Sequence, residues 1–470
     1  MVQLARAEVS HNPSAAGPVR AFAQISDSNA EEGCHKLFKR LGLSAPVEVN
    51  RFGLGDGPLK NVPYIKLSSW VKWLFNTHRL HRQMVGVATE EQMELVLGEW
   101  WKRFQVLFPD HQVFGMGYDM KRTIPFYSHS DEGRTYKSKP IYILSAHGVL
   151  GRGTEGYVRL GKHQKSVSEL EMGLNFLGST WSNHFIFCSI VRALLFENED
   201  ALDTISKQFA EDCEMLIKDG VTSDDGRHIR LLHLATKGDL PALAKLGHFL
   251  RSFSHCPRQA ASRTPCVGIC HLCRAGAEGQ DPVSFEDFSA RPLWLQTVEV
   301  KDPWNELPPI LEGVLVRPGY LAHFFETDIW HNMHLGCLKH FIGSAFISIL
   351  ERLEHPQLSG SMDTKFMFLT DEFKKFCKSR RISPYMAEIS KQTMSWPMAS
   401  SCPVGAWSKG AVSTHFMIFL EHFFDTYLDD NHPDTVLRAL VPGISLGKLS
   451  HLLVFAGCIV VELRLRERSP

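Results

Sequence analysis

The stretch HIRLLHLATKGD, residues 228–239, decides the fold. It is a β-rich apolar run closed by Gly238 and Asp239, and LPALAKLGHFLRSF (240–253) then opens as a helix. Pro241 sits in that helix's first turn, where proline is tolerated. Working upstream, ALDTISKQFAEDCEMLIKDG (201–220) predicts a helix with Leu202, Ile205, Phe209, Cys213 and Leu216 on one face, stopped by Gly220. NHFIFCSIVRALLF (183–196) begins as a strand, and TIPFYSHSD (123–131) with PIYILSAHG (140–148) reads as a hairpin. The order β-β-β-α-β-α predicts an α/β fold built on a mixed sheet. Its fourth strand returns after a crossover and can lie parallel beside the first.

That topology brings Asp131 and Asp239 to one edge of the sheet. Two carboxylates brought together repel unless cations lie between them, and paired Mg²⁺ ions ~3.5–4 Å apart are the known solution for phosphodiester chemistry. The plainer reading makes them turn and cap residues. Asp239 in KGDLPAL is well placed as an N-cap, and spacing alone favours that role.

A second signal is CVGICHLCRAG (266–276). Cys270-x-x-Cys273 has the spacing with which two thiolates grip one tetrahedral zinc, and Cys266 and Cys256 could complete a structural site. His255 or His271 could replace one of them. A redox CxxC would expect a thioredoxin-like helix N-terminus, and none is evident. The other seven of the eleven cysteines are scattered, which suits a reducing compartment.

Lysine plus arginine equal aspartate plus glutamate at 51 each, so net charge names no partner. Locally, His35–Arg82 carries nine Lys/Arg against Glu48 and Asp56, a basic face for phosphates or simply for solvent. The expected organisation is a disordered segment at 1–30, a helical basic lobe at 31–108, the α/β core at 110–253, a Cys-rich zinc-type insertion at 254–300 and a mostly helical region at 301–470. In the lobe, Thr89 and Gln92 make a capping-box pattern before an apolar face of Met93, Val96, Leu97 and Trp100. The opening residues hold no apolar core of a secretory signal, and the longest apolar run, 452–461, is about half of the ~20 residues of a membrane span. The expectation is a nuclear or cytoplasmic protein, not secreted and with no membrane partner.

In TDIWHNMHLGCLKHF (327–341), Asp328, His331 and His334 recur every third residue. They could converge on a metal, or Asp328 could cap an amphipathic helix, which is the favoured reading. Glu421 is a further candidate acid, and Lys409 is by default an exposed loop lysine that could touch a phosphate.

Taken in order, HSDEGRTYKSKPIYILSAHGVLG, ATKGDLPALAKLGHF, CVGICHLCRAG and TDIWHNMHLGCLKHFIGSA resemble a set of uncharacterised multicopy proteins of protist, notably dinoflagellate, genomes. More distantly the chain is similar to CACTA-type transposases, over about residues 115–345. The resemblance implies an RNase-H-like core acting on DNA with acidic residues and Mg²⁺. Asp131 would match the first acid, Asp239 the second, Cys270 and Cys273 the embedded zinc-type pair, and Asp328 with His331 the Asp-x-x-His helix. The third acid is open between Asp328 and Glu421. The alternative is a non-catalytic, zinc-stabilised nucleic-acid or protein interaction module of the same descent.

Overall fold

Most of the described residues among the first thirty, expected to be disordered, are helical in the computed structural model, which describes residues 2–12, 14–134, 139–151, 154, 172–173, 183–196, 200–255, 265–328, 330–386, 388–428 and 432–456. Val2–His11 (α1), Gly17–Ala23 (α2) and Ala30–Arg40 (α3) gather Ala5, Phe22 and Leu37 into a small core. Arg6 closes it, donating to the carbonyls of Ala23 at 3.0 Å and Ile25 at 2.6 Å and pairing with Asp27 at 2.6 Å. Polar composition hid a packing unit that depends on a few apolar positions spread over three short helices.

The segment 31–108 is not a separate helical lobe. Asn50–Phe52 (β1) and Val62–Tyr64 (β2) pair antiparallel and join the central sheet through Tyr64 opposite Cys188. Each strand has three residues, and Pro63 interrupts the second, so neither shows the alternation by which strands are read. Leu67–Asn76 (α4) and Glu90–Leu107 (α5) bury Leu67, Val71, Leu74, Val96 and Trp101 in the same core as the sheet. The expected cap of α5 is present: Thr89 Oγ1 accepts the Gln92 N–H at 3.3 Å, and Gln92 Oε1 accepts the Ala88 N–H at 3.0 Å.

The central strands follow the expected order. Thr123–Arg134 (β3) and Pro140–Gly148 (β4) form the hairpin, and Phe185–Val191 (β5) pairs antiparallel with β4. Arg192–Phe196 (α6) and Ala201–Lys218 (α7) make the crossover, with Ile205, Phe209, Cys213 and Leu216 buried. The chain then turns at Gly220 with φ +73° into Val221–Thr222 (β6) and His228–Gly238 (β7). Strand β7 lies parallel to β3, from Thr123 opposite Arg230 to Ser130 opposite Gly238. Asp239 caps Leu240–Leu246 (α8). A further strand that was not foreseen, Phe325–Thr327 (β8), pairs parallel with the end of β7. The sheet order is β1-β2-β5-β4-β3-β7, with β6 against the start of β7 and β8 against its end. The fold is mixed α/β.

Among the described residues of 265–300 there is no strand and no α-helix, only turns and one short 3₁₀ stretch at Leu293–Thr297. Beyond β8 a π-helical stretch, Trp330–Cys337, runs into Leu338–Arg352 (α9). Met362–Arg380 (α10), Gly410–Tyr427 (α11) and Thr435–Ala456 (α12) follow. They build a second core around Phe346, Phe373, Phe416 and Phe419. Among the described residues one helical run, Trp330–Arg352, has the length and apolarity of a membrane span. Half of its most apolar stretch is buried, and Ile342, Ala345, Phe346 and Ile349 face the second core.

Candidate functional site at the sheet edge

Three aspartates follow three laterally paired positions. Ser130 of β3 lies opposite Gly238 of β7, and Gly238 lies opposite Thr327 of β8. The next residues are Asp131, Asp239 and Asp328. Neighbouring strands lie about 4.8 Å apart, so the three backbone positions span about 10 Å. The Asp328 N–H donates to the Gly238 carbonyl at 2.9 Å and carries the pairing one residue past β8. Gly238 permits the close approach: a Cβ there would lie 2.7 Å from the Ser130 carbonyl oxygen.

A buried polar network pins the β3–β7 register. Ser128 and Thr236 face each other with hydroxyls 2.7 Å apart, and His233 Nε2 lies 2.9 Å from Ser128 Oγ. The His233 ring stacks on Phe126 at 5.0 Å, and burial pushes its pKa down to about 3. On the adjoining helix, Lys245 of α8 donates to Glu132 Oε1 at 3.3 Å, and Arg192 lies 2.6 Å from Glu132 Oε2. The helix capped by Asp239 is thereby tied to the residue after Asp131.

Each aspartate commits one oxygen to its own backbone. Asp131 Oδ1 accepts the Glu132 N–H at 2.7 Å, Asp239 Oδ1 the Ala242 N–H at 2.8 Å, and Asp328 Oδ1 the Trp330 N–H at 2.7 Å. The N-cap reading of Asp239 is therefore correct as far as it goes, and it is compatible with a place in the row. Asp328 Oδ2 lies 2.7 Å from His331 Nδ1. Burial works to raise the Asp328 pKa, but the bonds from His331 and Trp330 outweigh it and hold it low. His331 is raised, chiefly by its bond to Asp328 and further by the fields of Asp131 and Asp239.

Two groups missed in the sequence complete the surroundings. Lys237, opposite His129 and Glu326, is pushed down to about 8 by burial, against the pull of Asp328 and Glu326, and its ammonium lies 4.9 Å from the Tyr127 ring centre. His129 is lowered by burial while Asp131 and Asp328 act to raise it. A lysine near the end of a largely buried strand was the available signal.

Asp328, His331 and His334 do not form a shared site. His334 is buried with its ring stacked on Trp330 at 4.1 Å, and its carbonyl is bonded by Ser413 of α11. The metal alternative assumed α-helical spacing, whereas this stretch is π-helical and turns the two histidines apart; the favoured capping role of Asp328 agrees with its acceptance of the Trp330 N–H. Glu421 sits on α11 and lines a cleft with His334, Leu338 and Met417 in the helical region, while Asp328 continues the row. Lys409 lies over the Tyr385 ring at 4.6 Å.

In the Cys-rich segment, Cys266 and Cys270 are half-buried and Cys273 is buried; Cys256 lies outside the described residues. A hydrogen bond with Cys273 pushes the Cys270 thiol down to about 6, and the same bond pushes Cys273 up. Cys266 Sγ accepts the Gly268 N–H at 3.4 Å. His271 is not turned to the thiols' use: its Nε2 lies 3.2 Å from the Phe325 carbonyl and its ring stacks on Phe249. Among the described residues no three His, Cys, Asp or Glu side chains converge as a ready metal-binding group.

The chain matches no protein-family model, and no curated protein matches it.

Proposed function

We propose that the central sheet is an RNase-H-like catalytic core and that the chain is a transposase-derived nuclease or integrase-like protein acting on DNA phosphodiesters with Mg²⁺. The observation that supports this reading is the row of Asp131, Asp239 and Asp328, each one residue past the last laterally paired position of three adjacent parallel strands. The donor type suits the ion, since all three are oxygen ligands as Mg²⁺ prefers, and the bonds described above leave an oxygen of Asp131 and one of Asp239; the three side chains do not converge as a ready metal-binding group, so the site would close around the ion on binding. Bound Mg²⁺ would supply activation of a water or 3′-hydroxyl and neutralise the leaving oxygen. The chain's own part is to fix the acids through the β3–β7 network and the β8 pairing, and to set Lys237 nearby as a fixed positive charge. Of the nine basic residues at 36–82, Lys36, Lys39, Arg40, Arg51, Lys60, Lys72, Arg79 and Arg82 are exposed, and they would supply the phosphate contacts, with Lys36 exchanging its pairing to Glu32. We also propose a structural Zn²⁺ on the Cys270–Cys273 pair, with Cys266 and Cys256 as further ligands.

One observation favours the non-catalytic module instead. His331 holds Asp328 Oδ2, which withdraws that oxygen from a metal. The deciding experiment is Mg²⁺-dependent nicking of supercoiled DNA by the wild-type chain beside Asp131→Asn, Asp239→Asn and Asp328→Asn. Nicking lost in each variant by at least the tens-to-hundredfold that loss of a supporting group costs supports the enzyme. Equal nicking in all four rejects the site. Salt-sensitive DNA binding without nicking supports the module.

A further inference from the structure

We propose that His271, in the Cys-rich segment, is a positioning residue for Asp328: it holds the Phe325 carbonyl at the start of β8 and so keeps β8 in register beside β7. The inference rests on the catalytic reading of Asp328 given above, and its structural half can be measured without it.

Strand β8 has three residues and three paired positions, too few to hold a register by ladder bonds alone. A slip by one residue would carry Asp328 out of the row. What fixes the strand comes from the Cys-rich segment and its surroundings. His271 Nε2 lies 3.2 Å from Phe325 O. A carbonyl oxygen can only accept, so Nε2 carries the proton of this bond. The ring is clamped flat on Phe249, centroids 4.7 Å apart at 4°, and Phe249 in turn meets the edge of Phe325 at 5.0 Å.

The segment carrying His271 is anchored independently. Arg251, buried, donates to the carbonyls of Cys270 at 3.2 Å, His271 at 3.0 Å, Lys301 at 2.6 Å and Asp302 at 3.3 Å. The Glu299 N–H donates to Leu272 O at 3.0 Å. His271 also lies between Cys270 and Cys273, so anything that fixes the two thiols fixes the imidazole.

The test compares His271→Phe, which keeps the stack and removes the donor, with His271→Gln, which keeps a donor. Amide exchange is read at residues 325–328 and across β3 and β7, and Mg²⁺-dependent nicking gives kcat, KM for DNA and the Mg²⁺ midpoint. His271→Phe should speed exchange at 325–328 about tenfold and raise the Mg²⁺ midpoint or lower kcat 10–100-fold, with KM for DNA unchanged and β3–β7 protection intact. His271→Gln should recover most of both. Unchanged exchange at 325–328 overturns the proposal, as does loosening spread over the whole sheet. If the wild-type chain does not nick, the catalytic reading fails, while the exchange pattern still decides whether His271 braces β8.

Discussion

The backbone N–H of Asp328 donates to the carbonyl of Gly238 at 2.9 Å, which ties the third aspartate directly to the residue before the second. Asp239 then caps α8, so one peptide junction joins the end of β7, the start of a helix and the continuation of β8. The alignment of the row depends on Gly238 at that junction.

Replacing Gly238 by alanine puts a Cβ 2.7 Å from the Ser130 carbonyl and against Leu243. Backbone must move to relieve it, at a cost of about 1–3 kcal/mol by analogy with overpacked cores. Urea unfolding of Gly238→Ala should show that loss. Divalent-ion binding should weaken by more than in a control such as Gly17→Ala, where nothing lies within 4 Å of the added Cβ.

Buried His233 should make the fold acid-sensitive. Its folded pKa near 3 lies below the ~6.5 of an unfolded histidine, so between these values the unfolded chain binds the extra proton. Stability from this group is full above about pH 6.5 and falls as pH drops toward 3, with a slope of up to about 1.4 kcal/mol per pH unit. His111 and His184, each lowered to about 4 by burial, act in the same sense. In unfolding measured from pH 7 to pH 4, His233→Gln should flatten the slope by up to one proton.

His331 should compete with a bound cation. Its pKa is raised, chiefly by its bond to Asp328, which favours the charged form, and a divalent ion must share that space. His331→Asn removes the charge and should tighten Mg²⁺ binding about fivefold, the equivalent of about 1 kcal/mol for a partly buried pair. The difference should shrink as pH rises and the wild-type imidazole loses its proton. Isothermal titration at two pH values reads both effects.

The Cys270–Cys273 pair gives a metal-content prediction. Purified wild-type chain should carry about one zinc per molecule, and Cys270→Ser and Cys273→Ser should each lose it. A zinc-free chain that keeps the same melting temperature after exposure to a chelator would remove the proposed site.

Much of this arrangement was legible in the sequence, for reasons that can be named. The hairpin, the crossover helix with its face of Ile205, Phe209, Cys213 and Leu216, and the return strand 228–238 all carry long apolar patterns. They were enough to bring Asp131 beside Asp239. Strands β1, β2 and β8 have three residues each, and nothing so short has a period to read. Missing β8 left the third acid open between Asp328 and Glu421, because only the β7–β8 pairing sets Asp328 in line. The π-helical turn after it defeated the three-residue histidine spacing, which presumed α geometry. The role of His271 was hidden by its neighbours: between two cysteines an imidazole reads as a metal ligand, and only the folded chain brings Phe325 to its Nε2.

The most direct test of the central claim is a divalent-ion binding isotherm, taken with Mg²⁺ and with Mn²⁺, for the wild-type chain and for Asp131→Asn, Asp239→Asn and Asp328→Asn. The account predicts saturable binding in the wild type that each single substitution weakens by tenfold or more, because all three carboxylates serve one site. Binding left unchanged by any two of the three substitutions would contradict it.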